Sequence, residues 1–415
     1  MSNSTVMKNP VPSLVIAKIN PPIPAPKNVV YKKTSRDKSI AIYLGKRDFV
    51  DHVTHADPVD GVLVLDTGYI KSKKVYCRLV CAFRYGPEDM EVCGLKFQRD
   101  LFVKVIQIYP PPPEGKPKTQ TKMQERLIKK FGDNAYPFNF QFPDYLPCSI
   151  TLQVGLKNLD KCCGVDFQIL AFCAKSLSID EKISKRSSVN LVIRKVQFAP
   201  DKPTFHPMAK TIRHFLMSDE PIHLEVSLDK EIYYHNEPIQ VSVDVMNYSN
   251  KTVKKIKITV EQIANVVLYS NDKYSQTLAM HEVNEQIAPG SKHKQEYTLL
   301  PLIENNREKH GVALDGKIKD EDTQLASSTI LKEGIEREVW GILVSYKVKV
   351  KLVVSGMLGD IMFSDVAVEI PFLLMNPNPQ TQTGDMDDDE IQFEDFGQRR
   401  PMAVTEDLKD GEESP

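Results

Sequence analysis

Arg194 lies in the run SVNLVIRKVQF (188–198), among residue types that favour strands. Alternation with period two puts it on one face with Val192, Val196 and Phe198, and that face reads as core. A guanidinium there needs a carboxylate, because removing one partner of a buried ion pair costs about 3–5 kcal/mol. Distant parts of the chain offer three. Asp48 follows the parity of Ile40, Ile42 and Leu44 in IAIYLGKRDF, and Asp315 and Asp322 lie in ALDGKIKDEDTQLASST (313–329). Such a group is a lock: an incoming anion can take the guanidinium from its carboxylates by charge-assisted hydrogen bonds. For Arg194 alone, a side chain snorkelling from a strand end is the competing reading.

Other chemistry is missing from the pattern. DHVTHAD (51–57) has two His three apart, but nothing supplies further ligands at zinc spacing, so no metal is expected. LGKR (44–47) lacks the glycines of a phosphate loop, and no Gly-x-Ser-x-Gly elbow occurs. Neither a cofactor nor an enzyme is expected. The seven Cys, at 77, 81, 93, 148, 162, 163 and 173, are odd in number and show no Cys-x-x-Cys pair. Residues 1–26 lack the apolar stretch of a secretory leader, and no apolar run approaches about 20 residues. A cytoplasmic protein with reduced thiols is the expectation.

The elements that must carry Arg194 and its partners are strands. KKVYCRLVCAFRY, DLFVKVIQIY, SITLQVGL, GVDFQILAFCA and SVNLVIRKVQF fall in a first set over 27–199. IHLEVSLD, PIQVSVDVMN, KKIKITVEQI, KQEYTLL, WGILVSYKVKVKLVVSG and VAVEIPFLLM fall in a second over 208–376, with a Pro-rich hinge at 200–207. Many short strands without intervening helices predict an all-β chain of two antiparallel, immunoglobulin-like sandwiches. One short amphipathic helix is predicted in TKMQERLIKKFG, where Met123, Leu127 and Phe131 recur every four residues. Residues 1–26 read as a disordered extension, and 377–415 as an acidic flexible tail with a docking segment at about 389–400.

Net charge is −1, which gives no reason to expect nucleic acid. Its distribution is uneven. Residues 1–47 carry nine Lys/Arg against Asp37, and 385–415 carry twelve acids against Arg399, Arg400 and Lys409. Opposite charge at the two ends invites an intramolecular contact. Ile391, Phe393 and Phe396 sit among the tail acids, where apolar residues usually dock.

These segments resemble the arrestin family from about residue 27 to 400, through YLGKRDFVDHV, CAFRYGPED, LIKKFG, LPCSITLQ, LVIRKVQFAP, NREKHGVALDGKIKDEDTQLASST and FEDF. NVVLYSNDKY and SGMLGDIMFSDVAVEIP look like the visual, rod-type branch, whereas FCAKSLSIDEK and FAPDKP look like the non-visual one. The resemblance implies a binding protein of the photoreceptor cytoplasm, brought to outer-segment membranes by its receptor. It would bind light-activated, phosphorylated opsin, or another activated G-protein-coupled receptor, and block G-protein coupling. The alternative is a non-visual desensitiser and endocytic adaptor, against which stands the absence of a clathrin box in 377–415.

Residue by residue, the resemblance puts Asp48, Arg194, Asp315 and Asp322 in the family's buried polar core. The tail arginine that normally completes it would fall on Gln398, so either Arg399 reaches back to replace it or the core has one positive partner fewer and opens more easily. Receptor phosphates are assigned to Lys32 and Lys33, helped by Arg36, Arg47, Lys185, Arg186, Lys317 and Lys319. The receptor-entering finger loop would be Tyr85–Phe97, including Gly86, Glu88, Asp89, Met90, Val92, Gly94 and Leu95. Met123, Leu127 and Phe131 would clasp Ile391, Phe393 and Phe396 against Val29, Val30 and Tyr31. Inositol phosphate and self-association are further implied partners. Phe393-x-x-Phe396-x-x-x-Arg400 resembles a clathrin-adaptor motif, for which weak binding after tail release competes with the preferred reading of a plain docking segment.

Overall fold

The computed structural model describes residues 29–70, 73–85, 98–112, 120–153, 163–177, 183–199, 205–216, 218–269, 271–316, 323–355, 365–376 and 392–395. The strands are β1 (Val29–Thr34), β2 (Ile40–Leu44), β3 (Asp48–Asp51), β4 (Val59–Leu65), β5 (Lys74–Tyr85), β6 (Gln98–Tyr109), β7 (Ala135–Phe140), β8 (Ile150–Leu152), β9 (Cys163–Ala174) and β10 (Ser188–Gln197). They continue with β11 (Met208–Arg213), β12 (Ile222–Leu228), β13 (Ile232–Tyr234), β14 (Ile239–Asn247), β15 (Val253–Val266), β16 (Lys273–Val283) and β17 (Lys292–Leu299). The last are β18 (Ala313–Asp315), β19 (Ile342–Val354), β20 (Val366–Met375) and β21 (Gln392–Asp395). The helices are one turn, α1 (Thr67–Ile70), and the predicted amphipathic α2 (Lys122–Phe131).

Four sheets form two sandwiches. The first pairs a sheet of order β21-β1-β2-β4-β7 with one of order β18-β8-β9-β10-β3, in which β5 also pairs with β9 and β6. The second pairs β11-β12-β14-β17 with β13-β20-β19-β15-β16. Alternation is cleanest in β14, whose odd positions from Ile239 to Val245 are fully buried while their neighbours are half-buried. That is the pattern of a strand with one face on the core. Phe49, Phe142 and Phe167 pack edge to face in the first core, and Tyr233 against Phe372 in the second. Pairing is mostly antiparallel, as predicted, with three parallel exceptions: β1 with β21, β3 with β10, and β13 with β20.

Two features cross the expected organisation. β18 comes late in the chain, yet it pairs with β8 in a sheet built otherwise from residues before 200. Gln262 of β15 grips it from the other sandwich, donating to the Ala313 carbonyl and accepting from the Ala313 N–H. The tail strand β21 likewise returns to the first sandwich as an edge strand beside β1.

Candidate functional site

The parallel register of β3 and β10 places Arg194 opposite Asp48. Arg194 Nε and Nη2 donate to the two Asp48 oxygens at 2.7 and 2.6 Å, a bidentate fork. Its Nη1 reaches the Gly316 carbonyl at 3.5 Å, so the residue after β18 lies over the guanidinium. Asp315 is buried beside it. The Ser327 N–H donates to Asp315 Oδ1 at 3.0 Å and Asn376 Nδ2 donates to Oδ2 at 3.2 Å. Burial pushes the Asp315 carboxyl up to about 6, against the pull of these donors and of Arg194. His235 Nε2 lies 3.7 Å from Asp315 Oδ2, and burial pushes that imidazole down to about 4. His235 is therefore neutral at pH 7 and adds no positive charge. Asp322 and Arg399 lie outside the described residues.

Arg194 is buried, but not on the face that alternation suggested. The buried series of β10 is Val189, Leu191, Ile193, Lys195 and Gln197, whereas Val192 and Val196 are half-buried. Arg194 is covered from the opposite side by the chain around Gly316. Parity fails for Asp48 too, because Gly45–Arg47 separates β2 from β3 and restarts the alternation.

The charge that does occupy the core face is Lys195. Its ammonium makes a very short contact to Asp51, a hydrogen bond to the Leu146 carbonyl at 3.0 Å, and a contact to Cys148 Sγ at 3.8 Å. Burial works against the Lys195 charge, Cys148 and Asp51 work for it, and the net shift is upward. Burial pushes the Cys148 thiol up to about 12, so Asp51 is the anion that holds the ammonium. The sequence carried a signal for this pair: Lys195 shares parity with Leu191 and Ile193, and Asp51 with Phe49.

The seat of the tail is built on α2. Thr121 caps the helix, accepting from the Gln124 N–H, while the Gln124 side chain accepts from the Thr121 N–H. Gln124 is also buried, and its amide donates to the Gly61 and Phe138 carbonyls at 3.0 and 2.9 Å, pinning α2 across β4 and β7. Leu127 is fully buried in a small core with Val30, Ala41, Tyr43 and Val62, edged by Met123 and Phe131. β21 runs beside β1 with Val29 opposite Gln392, Val30 opposite Phe393, Tyr31 opposite Glu394 and Lys32 opposite Asp395. The Phe393 ring meets Tyr43 at 5.5 Å and Phe131 at 6.3 Å, with Lys130 Nζ 4.5 Å from its centroid. Of the helix stripe, Phe131 meets Phe393, and Tyr43 is a wall the sequence reading missed. Ile391 and Phe396 lie outside the described residues.

Positive charge gathers around the same strand. Lys33 Nζ donates to the Asn190 carbonyl at 2.6 Å, and its partial burial lowers its pKa. Arg47 stacks on the Tyr31 ring at 4.7 Å, and Lys32 sits 5.8 Å from that of Tyr43. Arg36, Lys185 and Arg186 are exposed. Their two loops are joined by the Asp37 N–H bonding to the Arg186 carbonyl at 3.3 Å. Burial raises the Asp37 pKa, but hydrogen bonds from Ser187, Ser39 and Ser35 outweigh it and bring it to about 2. Lys317 and Lys319 lie outside the described residues. So do Gly86, Glu88, Asp89, Met90, Val92, Gly94 and Leu95, in the segment joining β5 to β6. Tyr85, at its near end, donates to Asp272 Oδ2 at 3.3 Å. Among the described residues no helix is long and apolar enough to cross a membrane, and no cluster of His, Cys, Asp and Glu could hold a metal ion.

Residues 40–199 match the family described as Arrestin (or S-antigen), N-terminal domain, and residues 218–379 match its C-terminal domain. The chain belongs to the arrestin family. This arrestin is 56% identical over 371 residues to the S-arrestin of Lithobates pipiens, covering 89% of this chain and 93% of that one. It is 56% identical over 373 residues to the S-arrestin of Homo sapiens, covering 89% and 92%, and 53% identical over 395 residues to that of Canis lupus familiaris, covering 94% and 97%. The visual resemblance of its sequence is thereby supported over nearly the whole arrestin chain.

Proposed function

We propose that this arrestin binds light-activated, phosphorylated opsin and blocks its coupling to the G protein. The observation that carries this is the pairing of acidic β21 with β1, where Asp395 lies opposite Lys32. A phosphorylated receptor tail brings about −1.5 to −2 charge per phosphate at pH 7. It would compete with β21 for the same strand and the lysines on it. Once β21 leaves, a phosphate can take Arg194 from its carboxylates, and 27–199 and 208–376 can rotate about 200–207. Moving such an equilibrium from 1:99 to 99:1 needs about 5.5 kcal/mol of differential binding. Several phosphates, or phosphate plus an activated receptor core, would supply that; a single phosphate would not.

The test is capture by four opsin preparations, dark or illuminated, phosphorylated or not. Strong capture by the illuminated, phosphorylated form alone is expected, and equal capture by all four overturns the proposal. Adaptor binding through Phe393-x-x-Phe396-x-x-x-Arg400 would first require release of the Phe393 ring from Phe131 and Tyr43. Measured with and without a phosphopeptide, clathrin-adaptor binding that Arg400→Ala abolishes would move the protein toward the endocytic branch.

A further inference from the structure

Asn376 closes β20 at the point where the acidic tail begins. Its amide Nδ2 lies 3.1 Å from the Gln197 carbonyl, 3.2 Å from Asp315 Oδ2 and 3.2 Å from Ser327 Oγ. Its backbone joins the same junction: the Asn376 N–H donates to the Gln197 carbonyl at 3.3 Å, and the Ala199 N–H donates to the Asn376 carbonyl at 3.4 Å. Phe198 and Asn376 form an isolated parallel bridge. One half-buried residue thus touches the end of the strand bearing Arg194, the last residue before the hinge, and the carboxylate facing Arg194.

We infer that Asn376 is a positioning residue of the phosphate switch, tying the roots of the hinge and the tail to Asp315. Its amide supplies the donor for Asp315 Oδ2, while Oδ1 is held independently by the Ser327 N–H. Without that donor, Asp315 loses support for its charged form and becomes a weaker partner for Arg194. Gln197, three residues beyond Arg194, loses a bond that holds β10 against the second sandwich. Both changes weaken the resting arrangement, while leaving Lys32, Lys33 and the other basic side chains where phosphate would bind. The sequence offers no signal for this role, since Asn376 in LLMNPNP reads as a turn residue.

Resting on the proposed receptor binding, the inference is tested with Asn376→Ala, Asn376→Asp and Asn376→Gln in the full chain. The readout is the ratio of binding to unphosphorylated over phosphorylated illuminated opsin. Asn376→Ala should raise this ratio about fivefold, the factor equivalent to the ~1 kcal/mol net contribution of one hydrogen bond. Asn376→Asp, which faces Asp315 with a second carboxylate, should raise it further, and Asn376→Gln should restore part of the wild-type ratio. A spin label at Ile391, read without receptor, should show earlier tail release by phosphopeptide in the Ala and Asp variants. If all three variants lose both kinds of binding in step at an unchanged ratio, Asn376 is only a structural residue and the inference is wrong. Absence of phosphate preference in the wild type would instead overturn the receptor-binding proposal itself.

Discussion

Arg194 and Lys195 are adjacent on one strand, each paired with an aspartate of β3, and the two pairs face opposite ways. Lys195 and Asp51 are sealed, with side chains 1% and 9% exposed. Arg194 is nearly as buried at 10%, but Asp48 is 41% exposed. Burial of both ions makes a pair structural, because neither can be rehydrated when the other leaves. Partial exposure of one makes a pair exchangeable, since Asp48 can turn to water when another anion claims Arg194. One strand therefore carries a fixed bolt on its core face and a movable one on its outer face.

The largest expected effect tests the bolt. Lys195→Met should lower unfolding free energy by about 3–5 kcal/mol in denaturant titrations, because Asp51 is left charged and buried. Adding Asp51→Leu should recover much of the loss. If Lys195→Met instead leaves stability intact and relaxes phosphate dependence, the division between the pairs fails. Arg194→Glu should give the converse: a smaller loss of stability than Lys195→Met, because Asp48 can rehydrate, and a clear gain in binding to unphosphorylated, illuminated opsin. A variant still strictly dependent on phosphate would show that Arg194 is not the sensor.

Asp315 sharpens the comparison through pH. Its pKa is about 6 in the folded protein against 3.8 for a free carboxyl. The folded state holds the proton more tightly, so this group's contribution to stability is lost as pH rises from about 4 to 6. The groups facing it are Arg194, Asp48 and His235, and His235 stays neutral until about pH 4. Lowering pH from 7.5 to 6 should therefore neutralise Asp315 in part and ease phosphate dependence, and Asp315→Asn should remove the response. A pH response unchanged in Asp315→Asn would place it in another group. The smallest effect concerns the tail. Phe393 is 39% exposed, so Phe393→Ala should weaken docking by about 1 kcal/mol and raise the mobility of a spin label at Ile391. A label already fully mobile in the wild type would rule out docking.

The all-β class and the single working helix were legible because each rests on local periodicity, whereas a seat for Phe393 came only from the family resemblance. The face of Arg194 was not. Two charges in succession on one strand put one on each face, and the period-two rule alone does not say which face is covered. Lys195 offered the better match to Leu191 and Ile193, but its partner Asp51 sits in DHVTHAD, which draws attention to its histidines. Gln124 was readable as the third residue after a capping Thr, though its bonds to Gly61 and Phe138 depend on where the helix lands. His235, Ser327 and Asn376 meet Asp315 from separate stretches of chain, and no spacing rule joins them.

The late arrival of β18 has a consequence for how the protein is made. About 160 residues separate Leu152, at the end of β8, from Ala313, with which it pairs. At about 5–20 residues per second of synthesis, β8 waits roughly 8–30 s on the ribosome for its neighbour. During that interval its edge presents unpaired N–H and C=O groups, a template for another nascent chain. Its three-residue length limits that hazard, since a short edge offers little to pair with. The sheet of the first sandwich that holds β8 thus gains its last strand only after most of the second sandwich has been translated, which ties the folding of the two halves together.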